Sequence, residues 1–282
     1  MSAFYLISII LGVVFQTVIK KPFTQKTQGK GVFFFGFLTS LAAMLFFAVS
    51  SGGFSWNSGI VIYAVLFALA YAVATVFNIA AIACGSLSLT SLITSYSLLI
   101  PTFYGLVFLK DKIGAGLFPG LALLIISLFL INKTSADSPI TLKWVVCVVL
   151  GFVGNGMCSV MQKAQQHAFN GAYKNEFMIL ALAIVAVILG IFVVAKERKD
   201  IKFVASAGWH VALACGIVNG IVNLFVMILS GIMPVSVMFP LISAGGIIIT
   251  YLISRFFYKE KLTKTQFVGF LIGIASVVFL NI

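Results

Sequence analysis

Charged residues are scarce in this sequence. Of its 282 residues, 9% are Asp, Glu, Lys or Arg and 62% are hydrophobic, and the mean hydropathy is +1.19. A water-soluble domain has roughly a quarter of its residues charged, because these residues cover its surface. The shortage therefore excludes a soluble globular protein. The apolar stretches are continuous rather than alternating, which excludes a membrane β-barrel and predicts an all-α polytopic membrane protein.

Acidic residues are the scarcest, and none lies in the middle of an apolar stretch. A carboxylate buried in the membrane is the usual relay for protons or cations. Its absence argues against a tightly proton-coupled cation exporter. Glu176, at the start of an apolar stretch, is interpreted as an interfacial acid that the helix dipole favours. The acids are Asp111, Asp137, Glu176, Glu197, Asp200 and Glu260.

Sequence signals for metal or catalytic sites are also missing. The 4 cysteines show no CxxC spacing and no Cys/His ligand spacing, so they are interpreted as buried thiols. The sequence contains no HExxH motif, no phosphate loop, no paired carboxylates and no nucleophile–base–acid set. It therefore predicts no cofactor, no metal and no enzymatic activity.

The net charge of +12 does not indicate nucleic-acid binding. The basic residues lie in short connections between apolar stretches, and no basic groove with interleaved aromatic residues is found. Basic residues in this position orient a membrane protein beside anionic lipid. We therefore expect a lipid bilayer, and not a nucleic acid, as a partner.

Ten apolar stretches follow one another, each near the ~20 residues that a helix needs to cross a membrane. Five precede and five follow a linker, so the second half enters the membrane from the opposite side. This inverted repeat is typical of secondary transporters, whose solute site lies near the midplane. The predicted domains are a first repeat at 1–132, a linker at 133–141 and a second repeat at 142–282. The stretches are Ser2–Ile19, Val32–Val49, Gly59–Ala83, Leu87–Leu109, Leu117–Ile131, Leu142–Met161, Phe177–Ala195, Ala205–Leu229, Met233–Tyr258 and Thr265–Asn281.

A repeated turn and helix support this division. The turn Lys110–Lys112 (Lys-Asp-Lys) recurs as Lys259–Lys261 (Lys-Glu-Lys), and the match continues through the following apolar stretch without a gap. Apolar composition alone would not align a Lys-acid-Lys turn with the downstream polar and glycine positions in one register. The chain is therefore interpreted as two copies of one unit. The downstream pairs are Gly120 with Gly269, Ser127 with Ser276, and Asn132 with Asn281.

These two stretches make the sequence resemble the drug/metabolite transporter superfamily, specifically its EamA-like branch with ten helices. The family commonly has Gly-Glu at the turn, where this chain has Lys110-Asp111 and Lys259-Glu260. The resemblance implies alternating-access movement of small metabolites. It also implies a cavity lined mainly by the first, third and fourth helices of each half.

Uncharged polar residues inside the predicted helices form stripes. On the eighth helix, Asn219 and Asn223 are four residues apart and share one face. Such amides either line a solute cavity or hydrogen-bond helices together, and both interpretations remain open. Pro101 and Pro240, inside the fourth and ninth helices, are candidates for gating or for packing. The candidate substrate-binding residues are Gln16, Tyr71, Asn78, Tyr96, Asn155, Asn219, Asn223 and Ser243.

The sequence therefore predicts a secondary-type transporter in the plasma (inner) membrane, with a small organic metabolite as its other partner. A lining of amides, hydroxyls and aromatic rings suits neutral, zwitterionic or amphipathic solutes, amino-acid-like molecules among them. The alternatives are a lipid-linked-sugar flippase and a membrane scaffold that transports nothing. A homodimer is left open.

The orientation in the membrane is predicted differently by charge and by the resemblance. The connections on one side carry fourteen basic residues, and those on the other side carry only Lys110, Lys112, Lys163 and Lys174. The positive-inside rule places the side with fourteen in the cytoplasm and both termini outside. The resemblance suggests the reverse. The larger set is Lys20, Lys21, Lys26, Lys30, Lys133, Lys143, Lys196, Arg198, Lys199, Lys202, Arg255, Lys259, Lys261 and Lys264.

Overall fold

The computed structural model of the protein describes residues 2–28, 30–84, 90, 93–94, 96–111, 114–131, 141–256 and 263–280. The predicted linker, apart from Thr141, lies outside these residues, and so does the turn Lys259–Lys261. The structural statements below refer to the described residues.

The described secondary structure is helical, and no strand occurs in it, which confirms the all-α prediction. A 3-10 turn at Tyr96–Leu98 precedes the fourth helix, and a π-helical turn at Val193–Glu197 follows the seventh. The α-helices with described bounds are α1 (Ser2–Thr27), α2 (Val32–Ser50), α3 (Ile60–Cys84), α4 (Leu99–Val107), α5 (Leu117–Ile131), α6 (Leu142–Ala168), α7 (Lys174–Phe192), α8 (Ile201–Ile232), α9 (Val235–Phe256) and α10 (Lys264–Leu280).

These helices differ in how long a continuous apolar segment lies within their described residues. Within the described residues, 6 helices are long and apolar enough to cross a membrane, namely α1, α2, α3, α6, α7 and α8. The other four are associated with apolar segments of 10–17 residues, and the segment at α4, Tyr96–Val107, includes the 3-10 turn. The multi-pass class is therefore confirmed. The crossing of the membrane by all the predicted stretches as two inverted repeats stays a prediction.

The chain forms two compact units that combine segments from both halves of the sequence. The first unit is Met1–Ala72 with Met161–Gly231, and the second is Val73–Val160 with Ile232–Ile282. Helices α3 and α6 therefore each contribute to both units. The predicted repeats at 1–132 and 142–282 are a relationship along the sequence, which this grouping by contacts does not test.

In the first unit, two glycines allow α8 to pack closely against α2. A Cβ atom on Gly216 would lie 2.6 Å from the carbonyl oxygen of Thr39, and one on Gly220 would lie 2.5 Å from the ring of Phe46. The two glycines are four residues apart and so occupy one face of α8. Small residues at this spacing are the usual means by which membrane helices approach each other.

A buried acid anchors the beginning of α2 in the same unit. The carboxylate of Glu197 accepts hydrogen bonds from the backbone N–H groups of Phe33, at 3.1 Å, and Phe34, at 2.8 Å. The first N–H groups of a helix lack partners within the helix, and a negative charge near them is favoured by the helix dipole. Glu197 therefore connects the π-helical turn to α2.

In the second unit, Asp111 has the equivalent position at the beginning of α9. Its carboxylate accepts hydrogen bonds from the backbone N–H of Ser236 at 3.1 Å and from the Ser236 hydroxyl at 3.0 Å. Gly105 permits this approach, because a Cβ atom there would lie 2.5 Å from the Asp111 carboxylate. The acid in the Lys110–Lys112 turn is therefore a helix-capping residue.

Candidate functional site

The first unit contains a cavity of about 370 Å³ between α1, α2, α3 and α8. Four of the eight predicted substrate-binding residues line it: Gln16, Tyr71, Asn219 and Asn223. The structure thus brings together amides from opposite ends of the sequence with one tyrosine. The full lining consists of Val13, Gln16, Lys20, Phe35, Gly36, Thr39, Tyr71, Cys215, Asn219, Val222 and Asn223.

Helical periodicity explains why these side chains face one space. On α1 the lining residues are Val13, Gln16 and Lys20, at steps of three and four. On α8 they include Asn219 and Asn223, again four apart. Residues at these spacings lie on one face of a helix. The stripe predicted on α8 is therefore a cavity wall as well as a packing surface.

The amides in the first unit form a directional chain of hydrogen bonds. Gln162 Nε2 donates to Asn223 Oδ1 at 2.6 Å, and Asn223 Nδ2 donates to Asn219 Oδ1 at 2.9 Å. Asn219 Nδ2 donates to Gln16 Oε1 at 3.4 Å, and Gln16 Nε2 donates to the carbonyl oxygen of Gly12 at 3.3 Å. Each amide orients the next one, so the polar groups along this wall are held in a defined arrangement.

Gly12 allows the α1 end of this chain to reach α8. A Cβ atom on Gly12 would lie 2.5 Å from Val222 Cγ2. The two helices are therefore close enough for Gln16 and Asn219 to meet. Neither the glycine contact nor the pairing of these two amides follows from spacing along the sequence.

Lys20 lies in α1 and not in the first connection, where the sequence places it. The apolar stretch ends at Ile19, so Lys20 was predicted to lie in the first connection, but α1 continues to Thr27. Its side chain therefore projects from the helix, lines the cavity and places Nζ 5.2 Å from the centre of the Phe35 ring. An ammonium group over an aromatic face is a favourable cation–π arrangement. The cavity wall therefore includes a cation.

Two further residues take part in this site but are not among the eight substrate-binding residues predicted from the sequence. Gln162 is buried and provides the first donor of the amide chain. It lies seven residues after Asn155, on the same stripe of α6, and that spacing was the available signal. Thr39 lines the cavity and donates a hydrogen bond to the carbonyl oxygen of Ala212 at 3.4 Å. No pattern in the sequence distinguishes it from other threonines in apolar helices.

Other predicted site residues lie in the second unit, where the structure shows their partners. Asn78 Oδ1 accepts a hydrogen bond from Thr94 Oγ1 at 3.0 Å. Asn155 Nδ2 donates to Ser97 Oγ at 2.7 Å. These bonds join helical segments, as expected for amides that stabilise packing in a membrane. A substrate-binding role for the two amides stays a prediction.

Tyr96, Ser243 and Pro240 border a small pocket in the second unit. Its volume is about 10 Å³, which is near the minimum that holds one water molecule. The Tyr96 hydroxyl donates to the carbonyl oxygen of Ile125 at 3.1 Å. This space does not accommodate a metabolite as it stands. A role for these residues in binding, or for Pro240 in gating, stays a prediction.

The two gating candidates differ in their positions within helices. Pro240 lies inside α9. Pro101 is the third residue of α4, directly after the 3-10 turn at Tyr96–Leu98. Proline is best tolerated in the first turn of a helix, where the missing N–H is not needed. The expected loss of a backbone hydrogen bond therefore applies to Pro240 more than to Pro101.

The sequence was compared with models of protein families. The model of the EamA-like transporter family matches residues 139–282, which is half of the chain. The chain belongs to the EamA-like transporter family. The resemblance seen in the sequence is thereby confirmed. As a member of this family in the drug/metabolite transporter superfamily, and with several membrane-length helices, the protein is an integral, multi-pass membrane transporter.

Solved structures extend the fold relationship of this EamA-like transporter to the whole chain. In all, 28 chains match significantly. One is a crystal structure that is 12% identical in sequence, with a TM-score of 0.80, covering 99% of this chain and 95% of that one. A likeness at this identity shows the fold alone. No curated protein matches the sequence significantly.

Proposed function

We propose that this transporter moves a small organic metabolite across the plasma (inner) membrane by alternating access. The solute is neutral, zwitterionic or amphipathic, a class that includes amino-acid-like molecules. Its binding site is the cavity of the first unit. The observation that carries the proposal is the convergence of Gln16, Tyr71, Asn219 and Asn223 on this one space.

The size of the cavity supports a metabolite-sized solute. Small-molecule sites typically enclose about 300–1,000 Å³, and this cavity of about 370 Å³ is at the small end of that range. Apolar side chains such as Val13 and Val222 share the wall with the amides. Such a mixed lining combines hydrophobic contact with a few hydrogen bonds that set the orientation of the solute.

The two alternatives make different demands on the same residues. A membrane scaffold needs no convergent amides, because small polar groups for packing can be distributed over many helix contacts. A lipid-linked-sugar flippase needs a polar groove that is open to the bilayer. The convergence of Gln16, Asn219 and Asn223 on one space of about 370 Å³ favours a solute site over a scaffold.

Transport in proteoliposomes tests the proposal. Proteoliposomes that contain the wild-type protein are preloaded with a panel of unlabelled neutral and zwitterionic metabolites. Counterflow of the radiolabelled forms into the vesicles is then measured. Asn223→Ala removes a lining amide and should reduce counterflow roughly tenfold, the effect of losing about 1.4 kcal/mol of binding. Ser206→Ala is the matched control, because Ser206 is exposed on the same helix.

Three results would contradict the proposal. Counterflow of no panel member by folded wild-type protein would favour the scaffold. Movement of a lipid-linked sugar between leaflets, without metabolite counterflow, would favour the flippase. Equal counterflow by wild type and Asn223→Ala would mean that the polar residues on α8 pack helices together and do not bind the solute.

A further inference from the structure

The cation on the cavity wall narrows the class of solute, and this inference rests on the proposed function of the cavity. Lys20 is one helical turn beyond Gln16 on α1, and both side chains line the same space. Charged side chains on membrane helices are rare, and they usually face a cavity or a pathway rather than lipid. The position of Lys20 therefore places a cation beside the path of a solute in this cavity.

The neighbours of Lys20 divide the cavity wall into two parts. Its Nζ is 5.2 Å from the centre of the Phe35 ring, and Phe35 lines the cavity as well. The amides of Gln16 and Asn219 are bonded to each other at 3.4 Å. The wall thus has a cationic end at Lys20 and a neutral hydrogen-bonding part at the amide chain.

We propose that the solute carries a carboxylate, which Lys20 binds through its ammonium group. The amides of Gln16, Asn219 and Asn223 bind the uncharged polar part of the same solute, and Phe35 provides an apolar surface beside the carboxylate. Lys20 acts as a specificity-determining residue: it distinguishes a carboxylate from an uncharged group of the same shape.

The single cation in the described lining favours a carboxylate over a phosphate ester. Among the described residues that line the cavity, Lys20 alone carries a charge. One ammonium group matches the single charge of a carboxylate. A phosphate monoester carries nearly two charges and is usually held by several donors, commonly with a bidentate arginine.

The competing explanation is that Lys20 serves the membrane interface. Long basic side chains near helix ends extend toward lipid headgroups while their methylene groups stay in apolar surroundings. In that case the residue would contribute to stability or orientation and would not distinguish one solute from another. The two explanations are separated by a preference between matched solutes.

Binding is measured on the purified full-length protein in detergent, as ligand-induced stabilisation against heat. The probes are matched pairs, each a carboxylate and its primary amide: lactate and lactamide, phenylacetate and phenylacetamide, nicotinate and nicotinamide. Wild-type protein should bind at least one carboxylate on the order of tenfold more tightly than its amide, as expected for one charge-assisted hydrogen bond.

Substitutions assign that preference to Lys20. Lys20→Met and Lys20→Gln should both abolish the preference by weakening carboxylate binding, while amide binding stays within roughly twofold. Lys20→Arg should retain the preference. Lys26→Met is the control, because Lys26 is a cation on the same helix that is not among the cavity-lining residues. Two neutral variants are included so that poor folding of one does not decide the result.

Counterflow of the same pairs in proteoliposomes separates this inference from the proposed function. Carboxylate binding that depends on Lys20, without counterflow, overturns the transport proposal and supports the inference. Counterflow of other solutes, with no preference that depends on Lys20, overturns the inference and supports transport. Binding of no carboxylate in the panel, or equal weakening of acid and amide by Lys20→Met, also overturns the inference.

Discussion

Ser127 in α5 and Ser276 in α10 each donate a hydrogen bond to a glycine carbonyl oxygen on the other helix. The Ser127 hydroxyl donates to the carbonyl oxygen of Gly269 at 2.7 Å, and the Ser276 hydroxyl donates to that of Gly120 at 2.8 Å. In the sequence match, the two serines align with each other, and so do the two glycines. If each residue is replaced by its aligned counterpart, one hydrogen bond becomes the other. A local two-fold axis between α5 and α10 would give this relationship.

The first prediction concerns this pair. Ser127→Ala and Ser276→Ala should each lower the free energy of unfolding by about 0.6 kcal/mol, the average for a hydrogen bond between membrane helices. The two losses should be equal, because each serine makes the same contact and both are fully buried. Thermal unfolding in detergent measures them, with Ser206→Ala as an exposed control. A loss at only one serine would contradict the equivalence of the two sites.

The second prediction concerns the contact between α1 and α8. Gly12→Ala places a methyl group about 2.5 Å from Val222 Cγ2, so either the Val222 side chain or the helix backbone must shift. Overpacking of this kind should lower the free energy of unfolding by about 1–3 kcal/mol. It should also raise KM for transport, because a shift of α8 away from α1 would separate Gln16 from Asn219.

Two further variants control this experiment. Adding Val222→Ala to Gly12→Ala should restore part of the lost stability, because it makes room for the new methyl group. Gly246→Ala is the matched glycine control. A Cβ atom there would meet nothing within 4 Å, so this change should be neutral or stabilise by about 0.5–1 kcal/mol. Equal effects of Gly12→Ala and Gly246→Ala would show that the close contact is unimportant.

The third prediction concerns the short hydrogen bond from Gln162 to Asn223. Gln162→Leu leaves the Asn223 carbonyl oxygen without this donor and should lower the free energy of unfolding by about 1–3 kcal/mol. The double variant Gln162→Leu with Asn223→Leu should lose less than the sum of the single variants, by about 0.5–3 kcal/mol. Unfolding of all four proteins in detergent completes this double-mutant cycle. Strict additivity would mean that the two amides are not coupled.

The fourth prediction compares two acids that are three residues apart. Glu197→Ala removes the acceptor for the Phe33 and Phe34 N–H groups and should lower the free energy of unfolding by about 0.5–2 kcal/mol. Asp200→Ala removes an ion pair with Lys30 at 3.3 Å, whose side chains are 35% and 57% exposed. An exposed pair contributes only about 0–1 kcal/mol.

Hydrogen exchange locates the effect of the first substitution. Faster exchange at the beginning of α2 is expected in Glu197→Ala and not in Asp200→Ala, because Glu197 bonds to two N–H groups of that turn. Thermal unfolding in detergent gives the corresponding stabilities. A larger loss from Asp200→Ala would contradict the capping role of Glu197.

The fifth prediction concerns orientation. The charge distribution places both termini outside the cytoplasm. Lys20 now belongs to the cavity wall, but the other basic residues on its side still outnumber the four on the opposite side. A C-terminal alkaline phosphatase fusion should therefore be active, and a C-terminal fluorescent protein dark. Cytoplasmic fluorescence with an inactive phosphatase would support the orientation suggested by the family resemblance.

The helical class and most of the helix positions could be predicted from the sequence alone. Few charged residues and continuous apolar stretches predict membrane helices, because a helix satisfies its backbone hydrogen bonds within one segment. The pair Asn219 and Asn223 was also predictable, since residues four apart on one helix share a face whatever surrounds it. These features depend on interactions within a single segment.

The ends of helices and the partners of polar residues were decided by tertiary structure. Helix α1 continues past the end of its apolar stretch to Thr27, and this carries Lys20 into the cavity wall. Gln162 joins the site through Asn223, whereas Asn78 and Asn155 bond to Thr94 and Ser97 in the second unit.

The physical reason is that periodicity fixes the face on which a side chain lies but not the helix that this face meets. Only the close approach of α1 to α8 at Gly12 brings Gln16 to Asn219, across two hundred residues of sequence. The sequence by itself determined a helical membrane protein with polar stripes. Packing between helices determined which of those stripes enclose a cavity, and that a lysine belongs to it.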